Sequence, residues 1–247
     1  MKLSIGYSNE DKKGGSSSDN NSKKRKRNTS SQQLKSLLPK LVVFDLDKTL
    51  WNCFVYESFP HQSFQKSKVP GEAYAVYKNS NSINKNRKLR LYPDIIQILD
   101  DLTMKNIPLG ICSSSPSLLH AKNALESLQI YDYFQPNLII VKPSNNGKVD
   151  HLKNLLTLYN KHYCNVNNTN NKTTTNVKTK LNFKDILFFD DMWFNVKKLK
   201  NQGVYSIKVN PDIGVNFKLY QDSLKKYKER MNSSNIMFNF FTRKKKR

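Results

Sequence analysis

Cysteine is scarce: Cys53, Cys112 and Cys164 are the only three in 247 residues. No two of them form a Cys-x-x-Cys pair, and no histidine stands at metal-finger spacing from them. A disulfide framework and a structural zinc site are therefore excluded, and reduced thiols in the cytosol or nucleus are the plain reading. Long hydrophobic runs are missing too. The opening Met1-Lys2-Leu3-Ser4-Ile5 lacks the apolar core of a signal peptide, and no window approaches the ~18 apolar residues of a membrane span. The expectation is a soluble, monomeric protein, cytoplasmic and/or nuclear, with no membrane partner. Acidic residues are few, 19 Asp and Glu against 42 Lys and Arg, for a net charge of +23. Such a balance favours anionic partners: phosphate esters, nucleic acid or acidic lipid surfaces.

The charge is unevenly spread. Residues 1–39 carry +6 and the last five, Arg243 to Arg247, carry +5, so the body keeps +12. Residues 1–37 are rich in Ser, Asn, Lys and Gly without apolar periodicity, which predicts a disordered basic tail. Its run Lys23-Lys24-Arg25-Lys26-Arg27 reads as a nuclear import signal or as solvated charge. A low-complexity insert of Asn, Thr and Lys falls at about 165–180, and a basic tail is expected over 231–247.

Between these segments apolar runs alternate with helical patterns. Strands are predicted at Leu41–Leu46, Ile107–Cys112, Asn137–Val141, Asp185–Phe189 and Val204–Val209. Helices are predicted at Pro93–Lys105 (apolar face Ile95, Ile96, Leu99, Leu102), Pro116–Leu128, Lys148–Tyr159 and Phe194–Gln202. Five short apolar strands separated by helices imply an α/β fold with a mainly parallel sheet covered on both faces. In such sheets ligands bind beyond the carboxyl ends of the strands.

Polar groups fall at those ends. Asp45 and Asp47 follow the first strand, Ser113 to Ser115 the second, Lys148 the third across a short loop, and Asp190 and Asp191 the fourth. Taken alone, Asp-x-Asp-x-Thr is an ordinary turn or helix cap. Placed after an apolar strand and before Leu50-Trp51, it suits chemistry better. Carboxylates from two strands can share a hard cation such as Mg²⁺, which also neutralises repulsion toward an anionic substrate. One Asp can then attack phosphorus, a second carboxyl can move the proton, and Ser, Lys and free backbone N–H groups can hold the phosphoryl oxygens.

The set resembles the haloacid dehalogenase superfamily. Within it the chain is similar to the small eukaryotic magnesium-dependent phosphatases, on Leu38-Pro39-Lys40-Leu41-Val42-Val43-Phe44-Asp45-Leu46-Asp47-Lys48-Thr49-Leu50-Trp51, Leu91-Tyr92-Pro93, Gly147-Lys148-Val149, and Phe188-Phe189-Asp190-Asp191 followed by Asn195. The resemblance covers roughly residues 38–230. It implies a three-layer Rossmann-like fold without a large cap domain and an Mg²⁺-dependent phosphatase working through an aspartyl-phosphate. It implies Asp45 as nucleophile and metal ligand, and Asp47 as general acid/base with its backbone carbonyl on the metal. Leu46, Asp47, Ser113, Ser114 and Lys148 would line the phosphate. Asp191 would be the second metal carboxylate, with Asp190 ranked below it. The implied substrates are a phosphotyrosine protein or a small sugar phosphate.

One departure stands out. The family places an Arg after the phosphate-binding Ser, and this chain has Ser114, which cannot supply a bidentate charged fork. Residues 52–90, with several aromatics between basic residues, could form a substrate-selecting flap or simply cover the sheet. Two other readings stay open: a phosphoserine phosphatase of the polymerase-tail type, and a catalytically weakened nucleic-acid-binding or scaffold protein. Nucleic acid is a permitted partner but not the favoured one.

Overall fold

Leu41–Phe44 forms β1, and all four side chains are excluded from solvent, as expected of a strand covered on both faces. The computed structural model describes residues 37–77, 83–164 and 180–244. The expected tail over 1–37 and the insert at about 165–180 therefore lie, but for residues 37 and 180, outside the described residues. β1 sits between β5 (Leu109–Ser113) and β7 (Ile186–Asp190), with β6 (Ile139–Val141) and β8 (Tyr205–Lys208) at the edges. Every pairing in this five-stranded sheet is parallel. The chain leaves β1 toward β5 and β6, then returns to β7 and β8. The carboxyl end of β1 is thus the point where the winding reverses, which is where ligands bind in such sheets.

Helices cover the sheet. α2 (Ile95–Met104), α3 (Leu118–Ser127), α4 (Lys148–Cys164), α5 (Trp193–Asn201) and α6 (Phe217–Lys244) follow the short α1 (Val55–Ser58) in chain order. On one face Val149, Leu152 and Leu155 of α4 and Leu199 of α5 meet Leu41, Val43, Ile186 and Phe188. Elsewhere Phe44 stacks on Phe189 with centroids 5.3 Å apart and meets Phe134 edge-on. In α2 the buried face is Ile95, Ile98, Leu99 and Leu102. Ile96, expected on that face, turns instead toward the loop at Gly71.

Several expectations need correction. β1 ends at Phe44 rather than Leu46, because the chain turns at once. The N–H groups of Thr49 and Leu50 both donate to the Leu46 carbonyl, and Lys48 takes a left-handed φ of 57°. The segment 52–90 contains α1 and a separate antiparallel sheet of β2 (Gln62–Lys66), β3 (Glu72–Tyr77) and β4 (Ile83–Arg90) in the order β2-β3-β4. This sheet is anchored on α3. Asn123 accepts from the Phe64 N–H and donates to its carbonyl, and Ser127 Oγ donates to the same carbonyl. α4 runs past Tyr159 to Cys164, where Tyr159 and Tyr163 pack with centroids 4.9 Å apart. α6 continues beyond residue 230 to Lys244, into the segment expected as a tail; no Pro or Gly interrupts it. No helix among the described residues is long and apolar enough to cross a membrane.

The joint between α2 and α6 is polar. Asp94 accepts from the Phe217 N–H at 2.9 Å, while Asp101 accepts from the Tyr220 hydroxyl and pairs with Lys105. Partial burial pushes the Asp101 carboxyl up, but Lys105 and Tyr220 outweigh it and hold the group below its usual range. A carboxyl depressed in the folded state stabilises the fold above its ordinary pKa, and that contribution is lost as pH falls through the folded value. Wild type should therefore lose about 1 kcal/mol more than Asp101→Asn between about pH 5 and 3 in urea titrations. Parallel pH dependences would remove Asp101 from the acid response. A second constraint lies at Gly214, whose φ is 72° and where a Cβ would sit 2.0 Å from Tyr92 Cδ2. Gly214→Ala should cost about 3 kcal/mol by thermal or urea unfolding; an unchanged midpoint would show that the loop moves away freely.

Candidate active site

Three neighbouring strands, β5, β1 and β7, deliver their next residues to one place. Asp45 follows β1 directly and is 7% exposed. Asp190 ends β7, fully buried, and Asp191 follows it at the mouth. Oxygens of Asp45, Asp190 and Asp191 all lie within 4.8 Å of one another. Into this group reaches Lys148, the first residue of α4. Its Nζ donates to Asp45 Oδ1 at 2.6 Å and to the Cys112 carbonyl at 2.8 Å, and lies 4.0 Å from Asp190 Oδ2.

The local sequence explains each placement. Gly147, at φ 66°, makes the left-handed turn that starts α4 next to the cluster, and a Cβ there would come within 3.1 Å of Asn195 Oδ1. Asn195, in the first turn of α5, donates to both Asp190 oxygens at 3.2 and 3.1 Å, and the Met192 N–H adds a third bond at 2.7 Å. Asp47 stands apart from the carboxylate group. Trp51 Nε1 and the Val55 N–H both donate to its Oδ1, at 2.6 and 3.1 Å. Its backbone carbonyl is the atom the sequence suggested for a cation. Ser113 ends β5, 2% exposed, one residue beyond the carbonyl that Lys148 grips, and its Oγ accepts from the Ser115 N–H at 3.3 Å. The Leu46 side chain is buried in the core, so only its backbone can face a ligand. Ser114 is exposed on the loop that follows β5.

The electrostatics follow from crowding. Burial first, then the Asp45 charge, pushes Asp190 up to about 7 and raises Asp191 as well. Asp47 is pushed up to about 6, chiefly by burial and against the pull of Val55 and Trp51. Burial drags Lys148 down, but Asp45 and Asp190 more than reverse it, so the ammonium is held above its usual range. Three carboxyl groups here face one ammonium. The donor set is all oxygen, so it suits a hard divalent cation of the Mg²⁺ type. Two supports were not assigned from sequence: the indole of Trp51 as the clamp on Asp47, and Asn195 as the clamp on Asp190. Their spacing, four residues after Asp47 and five after Asp190, was the available signal.

A family model described as Acid Phosphatase matches residues 37–230. Human magnesium-dependent phosphatase 1 is 31% identical over 100 residues, 39% of this chain and 49% of that protein. The matched stretch thus spans about half the length of that curated relative. Among solved structures, the N-terminal phosphatase-domain part of BF1531 from Bacteroides fragilis, complexed with Mg, is 16% identical. It covers 77% of this chain and 41% of that one at a TM-score of 0.46. A HAD-superfamily hydrolase from Ehrlichia chaffeensis is 18% identical, over 77% of this chain and 96% of that one, at 0.45. With the family model matched across the whole α/β body, the chain belongs to the acid phosphatase family.

Proposed function

We propose that the chain is an Mg²⁺-dependent phosphatase that hydrolyses phosphate monoesters through a phosphoryl group carried on Asp45. The observation that carries this reading is the convergence of Asp45, Asp190 and Asp191 around Lys148 at the reversal point of the sheet. Asp45 is the nucleophile. A carboxylate oxygen forms the new bond to phosphorus as the bond to the ester oxygen breaks. Asp47, raised toward neutrality, gives its proton to the departing oxygen. It then takes a proton from a water that attacks phosphorus, which releases inorganic phosphate and restores Asp45. Trp51 and Val55 hold Asp47 in place for both transfers. Lys148 keeps Asp45 oriented and offsets negative charge as the anionic substrate arrives.

Asp45, Asp191 and the Asp47 carbonyl would hold the Mg²⁺, with Asp190 beside them. When bound, the ion supplies positive charge that lets an anionic nucleophile meet an anionic phosphoryl group. Ser113 and backbone N–H groups such as that of Leu46 would receive the phosphoryl oxygens. Ser114 brings no charge where the family carries Arg, so more of the phosphate grip falls to Lys148 and the cation. Within the cluster Lys148 is paired with Asp45 and Asp190, and Lys208 lies near enough to act on Asp191. A phosphotyrosine protein and a small sugar phosphate both fit as substrate classes for a site without a large cap.

Two measurements test the chemistry. Asp45→Asn should cut Mg²⁺-dependent hydrolysis of 4-nitrophenyl phosphate by at least about a thousandfold, and excess chelator should do the same reversibly. Full turnover in the variant would sink the nucleophile. Asp47→Asn should slow hydrolysis by about 10²–10⁴-fold for an alkyl phosphate, whose leaving oxygen needs the proton, and by clearly less for 4-nitrophenyl phosphate. Equal losses on both esters would mean that Asp47 is not the acid.

A further inference from the structure

Directly after Asp191 come Met192, Trp193 and Phe194, which are 39%, 63% and 40% exposed. Single apolar side chains in water are ordinary, but three in a row are unfavourable in the free protein unless they serve binding. The helix they open, α5, is held to the body by other residues: Asn195, Val196 and Leu199 are its buried ones. The backbone fixes the run at the edge of the carboxylate cluster. The Met192 N–H donates to Asp190 Oδ1 at 2.7 Å, and Asn195 donates to both oxygens of the same carboxyl. Trp193 and Phe194 therefore stand between two residues that hold Asp190. Two residues of chain span at most ~7 Å, so the Trp193 Cα lies within that distance of the Asp191 Cα.

The exposed face of α5 continues in lysine. Positions four and seven apart share one side of a helix, so Lys197 and Lys200 follow Trp193, and Lys198 follows Phe194 on the neighbouring stripe. All three lysines are exposed, and Lys197 Nζ stands 5.8 Å from the centroid of the Trp193 ring. The helix contains no Asp or Glu to answer them. Its outer face thus runs from an apolar end beside Asp191 to a cationic end farther off. The charge also says what does not cover it. Residues 1–39 carry +6 and residues 165–179 contain no Asp or Glu, so neither complements lysines, and a second copy brings the same basic body.

We infer that the outer face of α5 is a docking strip for the substrate's own polypeptide, with an apolar side chain on Trp193 and Phe194 and acidic side chains on Lys197, Lys198 and Lys200. This rests on the phosphatase reading and narrows its substrate to an acidic phosphoprotein segment. The spacing follows from the helix. Asp191 to Trp193 matches about two residues of extended peptide, and Trp193 to Lys200, about 10 Å along the axis, matches about three more.

Three symmetric phosphotyrosine peptides test it, so that the direction of binding drops out. The first carries leucine two residues from the phosphotyrosine and glutamate at the fourth and fifth positions on both sides. The second has serine for leucine, and the third has lysine for glutamate. With Mg²⁺ present, wild type should prefer the first, and the deficit of the lysine peptide should shrink in high salt. Trp193→Ala should lower kcat/KM on the first peptide about tenfold while 4-nitrophenyl phosphate stays within about twofold. Equal losses on peptide and small ester, or no preference among the peptides, would overturn the inference. Binding supplies a readout independent of turnover. The chain has two tryptophans, and Trp51 is 1% exposed, so acrylamide quenching of the emission reads Trp193. In the full Asp45→Asn chain quenching should be strong in the free protein and should fall saturably with the first peptide but not with the lysine peptide. Quenching that the first peptide leaves unchanged would overturn the strip. So would a Trp193 already shielded in the free chain, which would mean that another segment or a second copy covers the face. Failure of every ester with Mg²⁺ would instead count against the phosphatase reading, and the quenching arm would still decide the strip.

Discussion

Lys148 carries an ammonium group into a place with 2% exposure, where an unpaired charge would be costly. Asp45 and Asp190, together with the Cys112 carbonyl, make that position tolerable. The same lysine keeps two buried carboxylates from facing each other without compensation. The ion group therefore ties the ends of β1, β5 and β7 to the start of α4. Removing one partner would strand the others, so a stability role and a chemical role fall on the same atoms.

Around this core of charge the protein places fixed supports. Asn195 and the Met192 N–H hold Asp190, and Trp51 and the Val55 N–H hold Asp47. The two aspartates of the first motif thus sit in different environments. Asp45 lies against an ammonium, while Asp47 lies among neutral donors and is pushed toward protonation by burial. That difference in surroundings is what the two roles proposed for them would use. The segment after the motif thus serves the site through the Val55 N–H, which orients Asp47.

Much of this was legible in the chain. The five strands of the parallel sheet appear as short apolar runs, and the polar residues at the ends of β1, β5 and β7 stand out after them, because a buried parallel strand must be apolar throughout and must end in a turn. The antiparallel sheet of 62–90 was not legible as strands. Its inward residues include Ala73 and Ala75, too small to mark an alternation, and its anchor is the backbone of Phe64 held by Asn123 and Ser127 some 60 positions away. The length of α6 was hidden by its composition, since Asn, Ser and Lys read as tail unless a partner surface fixes Tyr220, Leu224 and Tyr227.

The sequence by itself determined the inventory: Asp45, Asp47, Ser113, Asp190 and Asp191 at or just past strand ends and Lys148 at a helix start, with Ser114 in place of the family Arg. Local patterns suffice for this, because strand, turn and helix start are short-range events. Tertiary structure alone decided which atoms meet. It set Lys148 on Asp45 and brought Asp190 and Asp191 into one cluster with Asp45. Those outcomes depend on sheet order and helix packing, which join residues about a hundred positions apart and leave no periodic trace along the chain.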